Sequence, residues 1–167
     1  MAAAEAHGFN AEWPAFGLPV VGGSYPSPEG RIEQAASAIG QGRVTASPLQ
    51  MAVVAANVAS GVHRPPRIVD AGPPEAGTPL PGGAAPVLQE LMRLVVAEGT
   101  ATAAQLPGEP VRGKTGTAEF GTERPPRTHA WFIGYRGDLA VAVVVEDGGF
   151  GGRVAAPLAR DFLARVG

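Results

Sequence analysis

The chain has no cysteine, which excludes disulfides and thiolate metal sites. It has one lysine, Lys114, against twelve arginines. No basic run and no interleaving of basic with aromatic residues occurs, and the net charge is only −2, which argues against nucleic acid as a partner. No hydrophobic run is long enough to cross a bilayer. The longest, residues 139–145, is far short of the ~20 apolar residues a membrane helix needs. The opening Met1-Ala-Ala-Ala-Glu-Ala-His lacks the basic n-region of a signal peptide. The three histidines, His7, His63 and His129, are scattered and make no metal cluster, and no cofactor is expected. His7 and His63 read as surface residues, and His129, beside Trp131 and Phe132, as a structural strand residue.

What is present is a globular chain. Glycine and proline are abundant, with 24 and 17 copies, yet the 45% hydrophobic content is too high for disorder. The 167 residues fit one domain with a core of its own. Residues 2–7 read as a helix tail closed by Gly8, residues 17–31 as loop, and 31–38 as a helical turn. The clearest helix spans 48–60. Ser47 is a good N-cap, Pro48 suits the first helical position, Gln50 completes a Ser-x-x-Gln capping box, and Gly61 closes the end. Residues 67–70 suggest a short strand and 71–85 a Pro/Gly loop. A second helix, 86–98, carries Val87, Leu88, Leu91, Leu94 and Val95 on one face.

The pattern then changes period. Residues 111–120, 128–135 and 139–146 read as three strands, the last two joined by the tight turn Arg136-Gly137-Asp138. A final helix over 157–166 is expected to turn Leu158, Phe162 and Leu163 to the core. Met51, Trp131 and Phe162 are all expected in the core. Helices followed by antiparallel strands and a closing helix make the fold class α+β.

The single lysine lies in Gly113-Lys114-Thr115-Gly116-Thr117-Ala118-Glu119. A lone ammonium in a chain that otherwise uses arginine marks a place where a compact, tunable charge is wanted. Two readings compete. Residues 108–115 fit G-x-x-x-x-G-K-[ST], a phosphate-binding loop, which would make this a nucleotide-binding protein. That loop must open a helix whose N–H groups cradle phosphate. The residues after Thr115 lack helical spacing, and Pro110 removes an amide from the cradle. The other reading makes 111–120 a strand at a cleft edge, with Gly113 and Gly116 clearing space for an extended substrate to pair with its backbone. Thr115 and Thr117 then share one face and Lys114 projects from the other.

Residues 114–119 resemble the third signature motif of penicillin-binding proteins, the serine D,D-transpeptidases related to serine β-lactamases. Residues 38–52 are similar to that family's segment leading into a helix after the core. Glu98-Gly99-Thr100 resembles the approach to the motif strand, and residues 129–135 the next hairpin. The four segments occur in the family's order, and they look most like the class B, monofunctional branch. The resemblance implies a β-lactamase/transpeptidase-like fold acting on a peptidoglycan stem peptide or a β-lactam, on the outer face of the cytoplasmic membrane. It implies that Lys114 supplies positive potential to the substrate carboxylate and assists proton transfer. The Thr115 and Thr117 hydroxyls would bind that carboxylate, and the Thr117 backbone N–H would be an oxyanion-hole donor. Gly116 and Glu119 belong to the substrate-binding strand by the same resemblance. Gln41, in Gly-Gln-Gly, serves either a turn or the cleft. Arg124 and Arg127 either meet an anionic substrate or solvate their loop.

The family's other motifs are missing. S-x-x-K would need serine three residues before the only lysine, where Val111 stands. S-x-N fails as well, because Gly8 and Ala55 precede Asn10 and Asn57 by two. Residues 1–167 are therefore expected to be the C-terminal part of a transpeptidase domain, without the N-terminal strands or the nucleophile-bearing helix. Such a chain alone should neither acylate with penicillin nor cross-link peptide. A degenerate, non-catalytic binding fragment, or one completed by a separate chain, are the alternatives.

Overall fold

A computed structural model describes residues 1–68 and 76–166, apart from the side chain of Ala15. In chain order the elements are α1 (Ala2–Glu5), β1 (Gly23–Ser24), α2 (Arg31–Ala38), β2 (Thr45–Ala46), α3 (Pro48–Ser60), β3 (Val62–His63), β4 (Thr78–Pro79), α4 (Ala84–Ala97), β5 (Arg112–Phe120), β6 (Arg127–Arg136), β7 (Leu139–Val145) and α5 (Ala155–Val166). The mixed α+β architecture matches the expected class. The suggested strand over 67–70 lies partly outside the described residues, and its described part, Arg67 and Ile68, is not in a strand.

The largest sheet among the described residues is antiparallel, of order β5-β6-β7. Thr115 pairs with Phe132, Thr117 with Ala130, and Phe132 with Val143. The β6–β7 connection is the two-residue loop of Gly137 and Asp138, with Gly137 at φ 58° as a tight hairpin turn requires. Because side chains alternate, Thr115, Phe132 and Val143 share one face, and Lys114, Ile133 and Ala142 share the other.

Each face is covered. On the threonine side, Phe132, Ala130 and Val111 pack with Ala155, Ala156, Ala159 and Leu163 of α5. The helix meets the sheet through alanines, which let it approach closely. That leaves Leu158 and Phe162, expected in the core, on its flanks at 49% and 48% exposure. On the lysine side, α3 lies over β6 and β7, and Ala140 packs with Val58, Met92 and Tyr135. The alternation of β7 follows from this: Val141, Val143 and Val145 face α5, while Ala140 and Ala142, on the face they share with Val144, leave room for α3. Met92 of α4 joins the core on this face and Val96 the core on the other, so α4 straddles the flank of β5. The buried residues of α4 are Ala85, Met92 and Val96, and Val87 and Leu91 of its expected apolar face are exposed.

The α3 start follows its sequence signals in part. Ser47 Oγ accepts the Gln50 N–H at 3.1 Å, and Gly61 closes the helix at φ 75°. The reciprocal half of the capping box does not form. The Gln50 side chain is fully buried and donates instead to the His7 carbonyl at 2.9 Å, tying the N-terminal segment to α3. The Ser47 N–H donates to the Gly22 carbonyl.

Candidate functional site

Residues 113–119 lie within β5, so the segment is a strand throughout. A phosphate loop must turn into a helix after its lysine. Here the chain continues as strand to Phe120, and the nucleotide-binding alternative is thereby excluded. Gly113 also has a different purpose from the one expected. A Cβ there would stand 2.3 Å from Phe132 Cζ, and one on its cross-strand partner Gly134 would stand 3.0 Å from the same atom. The pair of glycines is the floor on which the buried Phe132 ring lies, on the core side of the sheet and not in the cleft.

Lys114 is exposed and projects from the face opposite Thr115 and Thr117, as the strand period requires. Its Nζ donates to the Thr115 carbonyl at 2.7 Å. The Thr115 and Thr100 hydroxyls are 2.7 Å apart, so the loop after α4 holds the first motif threonine by its side chain. Thr117 is half-buried, and its carbonyl accepts from Gln41 Nε2 at 3.3 Å. In an antiparallel ladder one residue's N–H and C=O point to the same side. The Thr117 N–H therefore shares the side of the strand that its carbonyl shows to Gln41. Glu119 is exposed at the strand end, across from Thr128.

Two concavities meet at Lys114. One, of about 280 Å³, is walled by Lys114, Thr115, Gly116 and Thr117 on one side and by Gln41 and Met51 on the other. Trp131 completes it, so Met51 and Trp131, expected in the core, are half-buried wall residues instead. The other, of about 820 Å³, is an apolar groove between α3 and α4 that includes Val54, Val58, Leu88 and Leu91 and ends on Lys114 and Ile133. Lys114 is the one cationic side chain at the junction of the two concavities, where it can draw an anionic group, and Glu98 of the apolar groove is the one carboxylate lining either wall.

Behind the motif strand runs the glycine loop after β7. A Cβ on buried Gly151 would stand 2.4 Å from the Gly116 carbonyl oxygen and 2.2 Å from that of Trp131. A Cβ on Gly152 would stand 2.2 Å from the Thr100 carbonyl oxygen. The loop therefore lies directly on the main chain of the site. Neither this contact nor the Thr100–Thr115 pair was legible beforehand; the only signal was the density of glycine between 148 and 152.

At the far end of the strand pair, the His129 ring stacks on Phe120 with centroids 3.9 Å apart, and the Arg127 guanidinium lies 4.8 Å over the other ring. Arg127 bonds Asp147 at 2.6 Å and holds its carboxyl below the usual range, while the Asp147 N–H donates to His129 Nδ1 at 3.1 Å. Arg127 is thus engaged within its own hairpin, and His129 is structural. His7 and His63, expected at the surface, converge on buried Asn57, whose amide oxygen accepts from His63 Nδ1 at 3.1 Å while its nitrogen donates to the Val53 and Val62 carbonyls. Burial first, and then the charge of His63, lowers the pKa of His7; burial lowers that of His63. Among the described residues no group of three or more histidines or carboxylates converges as a metal site would need. None of the described helices is long and apolar enough to cross a membrane.

The penicillin binding protein transpeptidase domain profile matches residues 4–164. Peptidoglycan D,D-transpeptidase PbpA of Mycolicibacterium smegmatis is 37% identical over 189 residues, covering 98% of this chain and 38% of the relative. PbpA of Mycobacterium tuberculosis is 35% identical over 148 residues, covering 74% and 30%. The chain thus spans well under half the length of these curated relatives. Among solved structures, penicillin-binding protein A of M. tuberculosis in its ceftriaxone acyl-enzyme complex superposes with a TM-score of 0.87 at 27% identity, over 98% of this chain and 42% of that one. The transpeptidase domain of Burkholderia pseudomallei penicillin-binding protein 3 gives 0.81 at 28% identity, over 98% and 54%. A profile match over nearly the whole chain, in agreement with the strand, helix and motif order above, establishes that this chain belongs to the penicillin-binding protein transpeptidase domain family.

Proposed function

We propose that residues 1–167 are the C-terminal part of a peptidoglycan D,D-transpeptidase domain and supply its substrate-binding strand. A stem peptide ending in D-Ala-D-Ala lies extended along β5. Lys114 draws its terminal carboxylate, and the Thr115 and Thr117 hydroxyls bond it. The Thr117 N–H stabilises the oxyanion as a serine attacks the penultimate carbonyl and D-Ala departs. Gly116 leaves the strand edge accessible, and Glu119 flanks the peptide further along. The acyl group then passes to an amine of a second strand, and β-lactams acylate the same serine. That serine and the S-x-x-K and S-x-N motifs are not in this sequence. Residues 1–167 alone therefore bind without turnover. The reaction belongs to the extracytoplasmic face of the membrane.

The observation that carries this reading is the lone lysine and Thr117 main chain together on the wall of one cleft, in a strand whose motif is the family's own. Losing one oxyanion-hole donor typically costs about 10²–10³ in rate, which is the weight this reading gives to the Thr117 N–H.

Two measurements test it. Incubated alone with a fluorescent penicillin, the chain should remain unlabelled; a covalent adduct on residues 1–167 would overturn the assignment of the nucleophile elsewhere. Mixed with a polypeptide carrying the family's S-x-x-K and S-x-N segments, it should restore labelling on that polypeptide, and Lys114→Ala should abolish the restoration. Labelling that ignores Lys114→Ala would refute the role of the strand.

A further inference from the structure

We infer that Gln41 is a removable cap on the substrate-pairing edge of β5: its carboxamide occupies the Thr117 carbonyl that an incoming peptide N–H must take. The inference rests on the binding mode proposed above, in which substrate lies along this edge.

The cap is built by α2. That helix ends in two bonds, Gly40 N–H to the Ser37 carbonyl and Gln41 N–H to the Ala36 carbonyl, with Gly40 left-handed at φ 76°. This is the paired closure of a Schellman motif, with Gly40 the left-handed residue and Gln41 the next. Gly42 follows at φ 74°. Two left-handed glycines around Gln41 fix the direction of a residue 76 positions from its partner in sequence. Its side chain is half-buried in the wall of the cleft and reaches Thr117 from across it.

The bond is suited to being broken. At 3.3 Å it lies beyond the usual 2.9–3.0 Å of an N–H···O contact, between neutral groups. An extended peptide adding to a sheet edge brings its own N–H to such a carbonyl and bonds it in line. Until then the amide keeps that part of the exposed strand edge from pairing with another chain. Lys114 does the same for the Thr115 carbonyl one pleat away, so the carbonyls of both motif threonines are self-occupied. Only Gln41 does so from a separate element, which makes it the separable part.

The test compares Gln41→Met, which keeps length and loses the donor, with the parent chain. The probe is an N-acylated peptide ending in D-Ala-D-Ala, followed by NMR titration, with melting temperature as the folding check. In the free protein the Thr117 carbonyl carbon resonance should move on substitution. The peptide should bind the variant about fivefold more tightly, the change expected when one modest competing hydrogen bond is removed. A merely structural Gln41 would give the opposite sign, because loosening residues 39–46 would weaken the site. Equal or weaker binding by a folded variant, with the parent still binding at β5, overturns the cap and leaves the binding mode standing. No binding by either protein overturns both. Should Gln41→Met fail to fold, Gln41→Glu is the second variant: it too removes the N–H donor and should shift the same carbonyl resonance, and an unmoved resonance overturns the cap.

Discussion

Substituting Gly113 by alanine tests why the motif glycine is there. The new methyl carbon would sit 2.3 Å from Phe132 Cζ, 2.6 Å from Cε2 and 2.9 Å from the Ile133 carbonyl oxygen. Carbon atoms pack at about 3.5–4.0 Å, so more than 1 Å of displacement is needed. The ring has nowhere cheap to go. It is fully buried, lies on Gly134 as well, and shares its core with Leu163 and Ala159 of α5. Overpacking of this kind costs about 1–3 kcal/mol. Urea unfolding followed by tryptophan fluorescence should show that loss. Shortening the ring in Gly113→Ala/Phe132→Leu should return part of it, with a coupling of about 0.5–3 kcal/mol between the two sites. If Gly113→Ala unfolds within ~0.5 kcal/mol of the parent, a range typical of harmless surface changes, the packing argument fails. Retained stability with weakened peptide binding would instead restore the view that this glycine clears the cleft.

Removing the α3 cap by Ser47→Ala should destabilise the chain by about 1 kcal/mol in the same assay, and an unchanged midpoint would show the bond to Gln50 contributes nothing. Acidification should weaken the fold before the carboxylates titrate. His7 and His63 have pKa values held below 6.5 by burial, so the unfolded chain binds more protons; their contribution is complete above that pH and is lost as pH falls through the lowered values. Unfolding midpoints between pH 7 and 5 should therefore fall and flatten in His63→Gln; a flat parent profile would contradict the sign. β7 has a neighbour on one side only and carries neither charge nor proline, so sedimentation should reveal association that grows with concentration. Monomeric behaviour across the range would count against an unprotected edge.

Local chemistry made much of this fold legible. Ser47, Pro48 and Gly61 bracket α3 at both expected ends, and the two-residue turn at Gly137 sets the register of β6 on β7. The motif segment was recognisable as strand because its small and hydroxylated residues have no helical period, and that placed Lys114 opposite the threonines. The failures were non-local. β1, β2, β3 and β4 are two residues each, too short to carry a period. Gln50 resembled a capping partner but found the His7 carbonyl 43 residues away. Leu158 and Phe162 looked like core because large apolar side chains usually are, whereas α5 docks by its alanines. Gly-Gln-Gly marked the turn at Gln41, but its bond to the Thr117 carbonyl 76 residues away lies outside any window of sequence.

The glycine loop behind the site has a mechanical consequence. Gly151 rests on the main chain of Gly116 and Trp131 with no room for even one methyl group, while the opposite side of Gly116 opens into a cavity. The strand can yield toward the cavity and is blocked from retreating. A ligand seated in the cavity therefore faces a strand that is already backed at Gly116. In the binding mode proposed above, the Thr117 amide is then carried on that backed strand, and dipoles held in place before the ligand arrives are the effective ones.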